Sequence, residues 1–100
     1  MGLVSLVLLA IIIVVGLDLY KDIKQKEKAE IERREITKEL QFWQSVASKY
    51  KDFRDAYFQL AVLEYRLGNI NGAKYYLQKT LSLDPNFEKG RELEKILSTK

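Results

Sequence analysis

Apolar residues fall along this chain in three distinct regimes. Residues 3–17, L-V-S-L-V-L-L-A-I-I-I-V-V-G-L, carry no charge and one hydroxyl, on Ser5. Residues 18–35 are dense in Lys, Glu, Arg and Gln, and Leu19, Ile23, Ala29 and Ile31 give only a thin, irregular apolar stripe. From Ile36 the stripe strengthens through Leu40, Trp43, Val46/Ala47 and Tyr50, a spacing of three and four that predicts a packed helix face. Leu60, Leu63 and Leu67 repeat that spacing, as do Ala73, Tyr76/Leu77 and Thr80/Leu81. Between them Leu67-Gly68-Asn69 breaks the pattern, and Gly68 suits the left-handed position that closes a helix. Asp84-Pro85 stops the second run. Phe87, Leu93, Ile96 and Leu97 define one face of a last helix, with Gly90 as a weak point or a place of close approach. The pattern predicts an all-α chain: a long helix passing from apolar to amphipathic, a helical hairpin, and a terminal helix.

Helix boundaries follow from the breakers. No Gly or Pro stands between Gly16 and Gly68. If residues 3–50 are continuous, they form a rod of about 70 Å at 1.5 Å per residue. Asp22–Lys26 and Glu30–Arg34 are acid-before-base pairs at i, i+4, each adding a few tenths of a kcal/mol. The charged stretch reads as a solvated spacer, with a coiled-coil seam as the alternative. Asp52 is the expected cap of the next helix, and Asp55 falls in its first turn beside the positive dipole end.

Residues 57–85 resemble a family, the tetratricopeptide repeat (TPR), a helix-turn-helix unit of about 34 residues. With Pro85 as the late proline, the repeat opens at Arg54 and closes at Phe87. The signature positions are then Tyr57, Leu60, Ala61, Gly68, Ala73, Leu77 and Pro85. Glu64 stands where an aromatic is usual, Leu77 also replaces an aromatic, and Thr80 replaces an alanine. Residues 39–50 take the place of the second helix of a preceding repeat, with Trp43 in its aromatic slot and Lys51 where a proline is usual. The final helix then caps the array. A generic helical hairpin is the plainer alternative. In peptide-binding members the inner face of the first helix holds the ligand, which by position implies Asp55, Phe58, Gln59, Val62, Tyr65 and Arg66 here. A peptide groove usually needs about three stacked repeats. Those residues are therefore equally suited to meet the preceding helix or a sister copy.

The apolar segment sustains three readings. Leu3, Val4, Leu6, Val7, Leu8, Leu9, Ile11, Ile12, Ile13, Val14, Val15 and Leu17 make a run of 17 residues before Asp18, counted from Met1. A membrane-crossing helix needs about 20, with a usual lower limit of about 17. A cleaved signal peptide is the second reading, although no Lys or Arg precedes the run and no small-x-small site follows it. The third is a helix buried among sister copies. In layout the chain resembles the type IV pilins, in which an apolar helix packs inside a filament; Ser5 stands where that family usually has a glutamate. If the segment spans a bilayer, Lys21, Lys24, Lys26, Lys28, Arg33 and Arg34 place the C-terminal domain in the cytoplasm. Export as a filament subunit inverts that topology.

Composition narrows the function classes. The chain has 100 residues, of which 47% are hydrophobic, enough for one small domain helped by assembly or a partner. It contains no Cys and no His, which removes disulfides, thiolate chemistry, the commonest general base and the commonest metal ligand. Its 17 basic and 14 acidic residues are intermixed, so no block points to nucleic acid. There is no glycine-rich phosphate loop and no metal-ligand spacing. The expectation is a non-enzymatic interaction or scaffold protein without cofactor, metal, nucleic-acid or small-molecule ligand. Its partners are a protein or sister copies in a homo-oligomer, and a membrane. Residues 1–17 form the anchor or assembly helix, 18–35 the spacer and 36–100 the TPR-like domain. The alternative is a pilus-like extracellular filament with apolar helices inside and TPR domains outside.

Overall fold

A computed structural model describes residues 2–100; Met1, the first residue of the expected anchor segment, lies outside the described residues. The fold is all-α, with four helices: α1 (Gly2–Lys49), α2 (Arg54–Arg66), α3 (Ile70–Leu83) and α4 (Glu88–Ser98). The long helix is continuous for 48 residues and passes without a break from the apolar segment into the charged one. The chain divides into two compact units, the first ending at Glu32 and the second beginning at Arg33.

In the first unit every described residue is exposed. Its apolar side chains from Leu3 to Leu17 are 51–80% exposed. Leu19, Ile23 and Ile31, the thin stripe of the charged stretch, are exposed as well. Lys24 stands 5.5 Å from the centroid of the Tyr20 ring, one turn earlier. The i, i+4 carboxylate and amine at Asp22–Lys26 do not close into an ion pair, whereas Lys38 and Glu35 pair at 3.6 Å.

The second unit holds the core. α1 contributes Ile36 and Ala47 as buried residues, with Leu40, Trp43 and Val46 half-buried. Ala47, Ala56 and Leu60 form one apolar cluster, flanked by Leu40, Trp43, Val46, Tyr57 and Tyr76. A second cluster joins Ala61, Ala73, Leu77, Leu93 and Leu97. Tyr76 borders both, so α3 is shared between them. Alanines at the crossings let the helices approach, while each fully buried leucine contributes about 1.5–3 kcal/mol.

Two expectations at the α1–α2 connection fail. Tyr50 is 64% exposed. α1 ends at Lys49, so Tyr50 leaves the helical phase that its spacing implied. Asp52 does not cap α2: the cap position is Phe53, extended at φ −84° and ψ 97°, with no side-chain hydrogen bond. Asp55 does lie in the first turn of α2. In α4, Leu93 and Leu97 are buried and Phe87 is half-buried, but Ile96 is exposed. The i, i+4 pair sets the seam, and Ile96 falls on its flank. Gly90 is buried where a Cβ would come within 3.0 Å of Leu81 Cδ2, so close approach explains it.

Candidate interaction surfaces

The turn between α2 and α3 is built from one glycine backbone and the two side-chain contacts of Asn69. Gly68 adopts φ +81°, as the spacing predicts. Its N–H donates to Tyr65 O at 2.9 Å, and Asn69 N–H donates to Glu64 O at 2.9 Å, the paired bonds of a Schellman closure. An apolar contact usually accompanies that closure; here a polar one replaces it. Asn69 Nδ2 donates to Glu64 Oε2, while Asn69 Oδ1 accepts from Gly72 N–H at 3.1 Å. Asn69 thus closes α2 and caps α3 with one side chain. Glu64 is 7% exposed, and its carboxyl is satisfied by this contact. The residue that departs from the TPR pattern is therefore the one the turn uses. An Asn three residues ahead of a Gly in a helix start was the available signal for it.

At the other end of the hairpin Arg54 joins α2 to the α3–α4 loop. Its Nη1 donates to Asp84 Oδ2 at 2.7 Å, and its Nε and Nη2 both donate to Asp55 Oδ1, at 3.1 and 2.7 Å. The guanidinium carbon lies 3.9 Å from the centroid of the Phe87 ring. Hydrogen bonds to Asp55 and then Asp84 raise the Arg54 pKa above its already high ordinary value. Phe87 in turn meets Phe58 edge-on at 5.0 Å. Arg91 Nε closes the loop onto Pro85 O at 2.9 Å.

These contacts decide what the six implied ligand residues are free to do. Phe58, Val62 and Tyr65 are half-buried against the cluster that α4 completes. Asp55 is engaged by Arg54, Gln59 is half-buried, and Arg66 is exposed. The six lie on one helix, but its apolar members face into the module. Asp55 lines a concavity of about 350 Å³ with Phe53, Arg54, Leu83 and Asp84 rather than with the other five.

Two larger concavities also lie in this unit. One, of about 580 Å³, opens between α3 and α4 over Leu77, Leu81 and Leu97, so α4 does not close the apolar end completely. The other, of about 500 Å³, lies where the last turns of α1 meet α2 and α3. Tyr57 and Leu60 come from α2, Tyr76 and Lys79 from α3, and Ala47 with Gln44 and Ser48 from α1. Lys51 stands at its rim and accepts, through its carbonyl, a 2.9 Å hydrogen bond from the Tyr57 hydroxyl. The sequence marked Lys51 only as a replacement for a proline and gave Lys79 no role; the signal for the latter was its position four residues after Tyr75. Tyr75 is exposed and Tyr76 half-buried, so the adjacent tyrosines point in different directions.

Among the described residues no three carboxylates gather as metal ligands. α1 is the one described helix long and apolar enough to cross a membrane, a measure that a signal sequence also meets. Comparison with family models, curated proteins and solved structures finds no match for this chain.

Proposed function

We propose that this is a non-enzymatic interaction protein: a minimal TPR-like helical module held at a membrane by the apolar half of α1. The observation that carries the proposal is the exposure of residues 3–17. Twelve large apolar side chains there, from Leu3 to Leu17, are each more than half exposed. At about 25 cal/mol per Å² of apolar surface removed from water, such a segment needs lipid or protein around it. The TPR resemblance supports a protein partner for the module, and the Lys21–Arg34 flank supports a cytoplasmic face for it.

Membrane fractionation of wild type and Leu8→Asp tests the anchor. An Asp near a helix centre costs about 2.5–3.5 kcal/mol on insertion, on the order of a hundredfold in partition. Wild-type protein should resist an alkaline wash of the membranes, and the variant should wash off. Wild-type protein that washes free and collects as extracellular fibres would instead support a filament subunit. That second reading draws on the unbroken run of α1 from the apolar segment into the module, the layout of pilin-like subunits.

A further inference from the structure

We propose that the groove between α1, α2 and α3 binds an acidic peptide segment that presents carboxylates and apolar side chains on one face. The inference rests on the interaction reading above and adds the chemistry of the partner. The floor of the groove is apolar: Ala47 and Leu60 are 8% and 1% exposed, and the Tyr57 and Tyr76 side chains line it beside them. Its charged lining residues are Lys51 and Lys79, and no carboxylate faces them. Among the described residues neither ammonium has an acidic partner within ion-pair distance. Lys79 is nevertheless held in place, with its Nζ 5.7 Å from the ring centroids of both Tyr57 and Tyr75. A cation resting on aromatic faces keeps its full charge for a ligand. At about 500 Å³ the space admits a few side chains, within the range of ordinary ligand clefts.

Positive charge alone would suit any anion; the floor selects among them. The half-buried Tyr57 and Tyr76 rings gain from apolar atoms that displace water. Successive side chains of an extended chain point to opposite faces, so a Glu-Glu-Leu-Leu order brings both kinds of group to the face that meets the groove. A nucleic-acid backbone brings charge without apolar cover, and its affinity grows with the number of phosphates neutralised. Two lysines neutralise few. The charge complementarity therefore favours a protein carboxylate over a phosphate.

Trp43 supplies the readout. It is the sole tryptophan, and it packs on the Ala47–Ala56–Leu60 cluster beneath the groove. Full-length protein in lipid nanodiscs would be titrated with a short synthetic peptide repeating Glu-Glu-Leu-Leu, and with a copy carrying Gln for Glu. The Glu peptide should shift Trp43 emission saturably, and the Gln peptide should bind at least about tenfold more weakly. Combined Lys51→Glu and Lys79→Glu substitutions should weaken the Glu peptide by a similar factor and leave the melting curve and nanodisc attachment unchanged. Equal affinity for the two peptides, or unchanged affinity in the charge-reversed variant, overturns the proposal. So does a single-stranded oligonucleotide that binds more tightly than the Glu peptide, which would assign the groove to phosphate. Loss of peptide response with attachment intact counts against the groove alone, whereas wild-type protein that fails to stay in nanodiscs counts against the anchor.

Discussion

Gly72→Ala sets two opposed effects against each other at the α2–α3 turn. As a helix residue, alanine is favoured over glycine by up to about 1 kcal/mol, so the substitution should stabilise α3. The new methyl, however, would come within 2.7 Å of Asn69 Nδ2 and 3.0 Å of Asn69 Cγ, and closer still to Glu64 Oε2. Those atoms belong to the contact that joins the two helices. Making room separates Asn69 from Glu64 and leaves a buried carboxyl without its partner, at about 1–3 kcal/mol. The cap on Gly72 N–H is disturbed as well, for about 1 kcal/mol. The collision wins, and the net loss should be about 1–3 kcal/mol. For a domain of this size that lowers the melting temperature by roughly 10 °C. Thermal melts of the full-length protein, followed by Trp43 fluorescence, measure it. The cause is isolated by repeating the change in a Glu64→Ala background, where the nearest colliding group is gone. There Gly72→Ala should be neutral or stabilising, giving a coupling of about 1–3 kcal/mol between the sites. A variant that melts at or above wild type, or one that loses the same stability in both backgrounds, would refute the collision account.

Gly68→Val should destabilise by about 2 kcal/mol through backbone strain alone, since φ is +81° and nothing lies within 4 Å of the added Cβ; an unchanged urea midpoint would contradict the left-handed closure. Ala73→Glu places a charge at a position with 0% exposure between Ala61 and Leu77 and should abolish cooperative melting of the module. A cooperative transition that survives would show the hairpin is packed differently. Arg54→Gln should lower the melting temperature less than Ala73→Glu does, and added salt should narrow the gap to wild type. Because the Arg54 pKa is raised, its stabilisation is fully present below the unfolded value and is lost only as pH rises through the folded one. The gap should therefore stay constant from neutral to mildly alkaline pH, and a gap that closes there would remove the Arg54 pairs as its cause.

Much of the fold was legible because it rests on short-range rules. Gly68 and Pro85 mark the ends of α2 and α3 by backbone preference alone, and the Ile36–Ala47 stripe marks the packed part of α1 by periodicity. What sequence could not show depends on atoms brought together by the fold. Asp52 has the right side chain for a cap, yet the chain turns so that Phe53 takes the position. Glu64 looks like a departure from a repeat pattern until Asn69 and Gly72 are beside it. The ligand face on α2 was implied by the resemblance to peptide-binding repeats, but Phe58, Val62 and Tyr65 are taken up by the cluster that α4 completes. Lys51 and Lys79 are 28 positions apart and share a groove only because α1 and α3 both pack on α2.

The two connections at either end of α2 differ in how much added chain they can absorb. Between α2 and α3 no position is spare: Gly68 and Asn69 each serve a helix end, and an inserted residue would have to dissolve both ends together. Between α1 and α2, residues 50–53 are exposed and hold no side-chain cap, so extra length there costs loop entropy and at most the Tyr57–Lys51 and Phe53–Tyr50 hydrogen bonds. A lineage that lengthened this protein, or an engineer inserting a tag or a second domain, would find the permissive site beside Tyr50 and a closed one at Gly68.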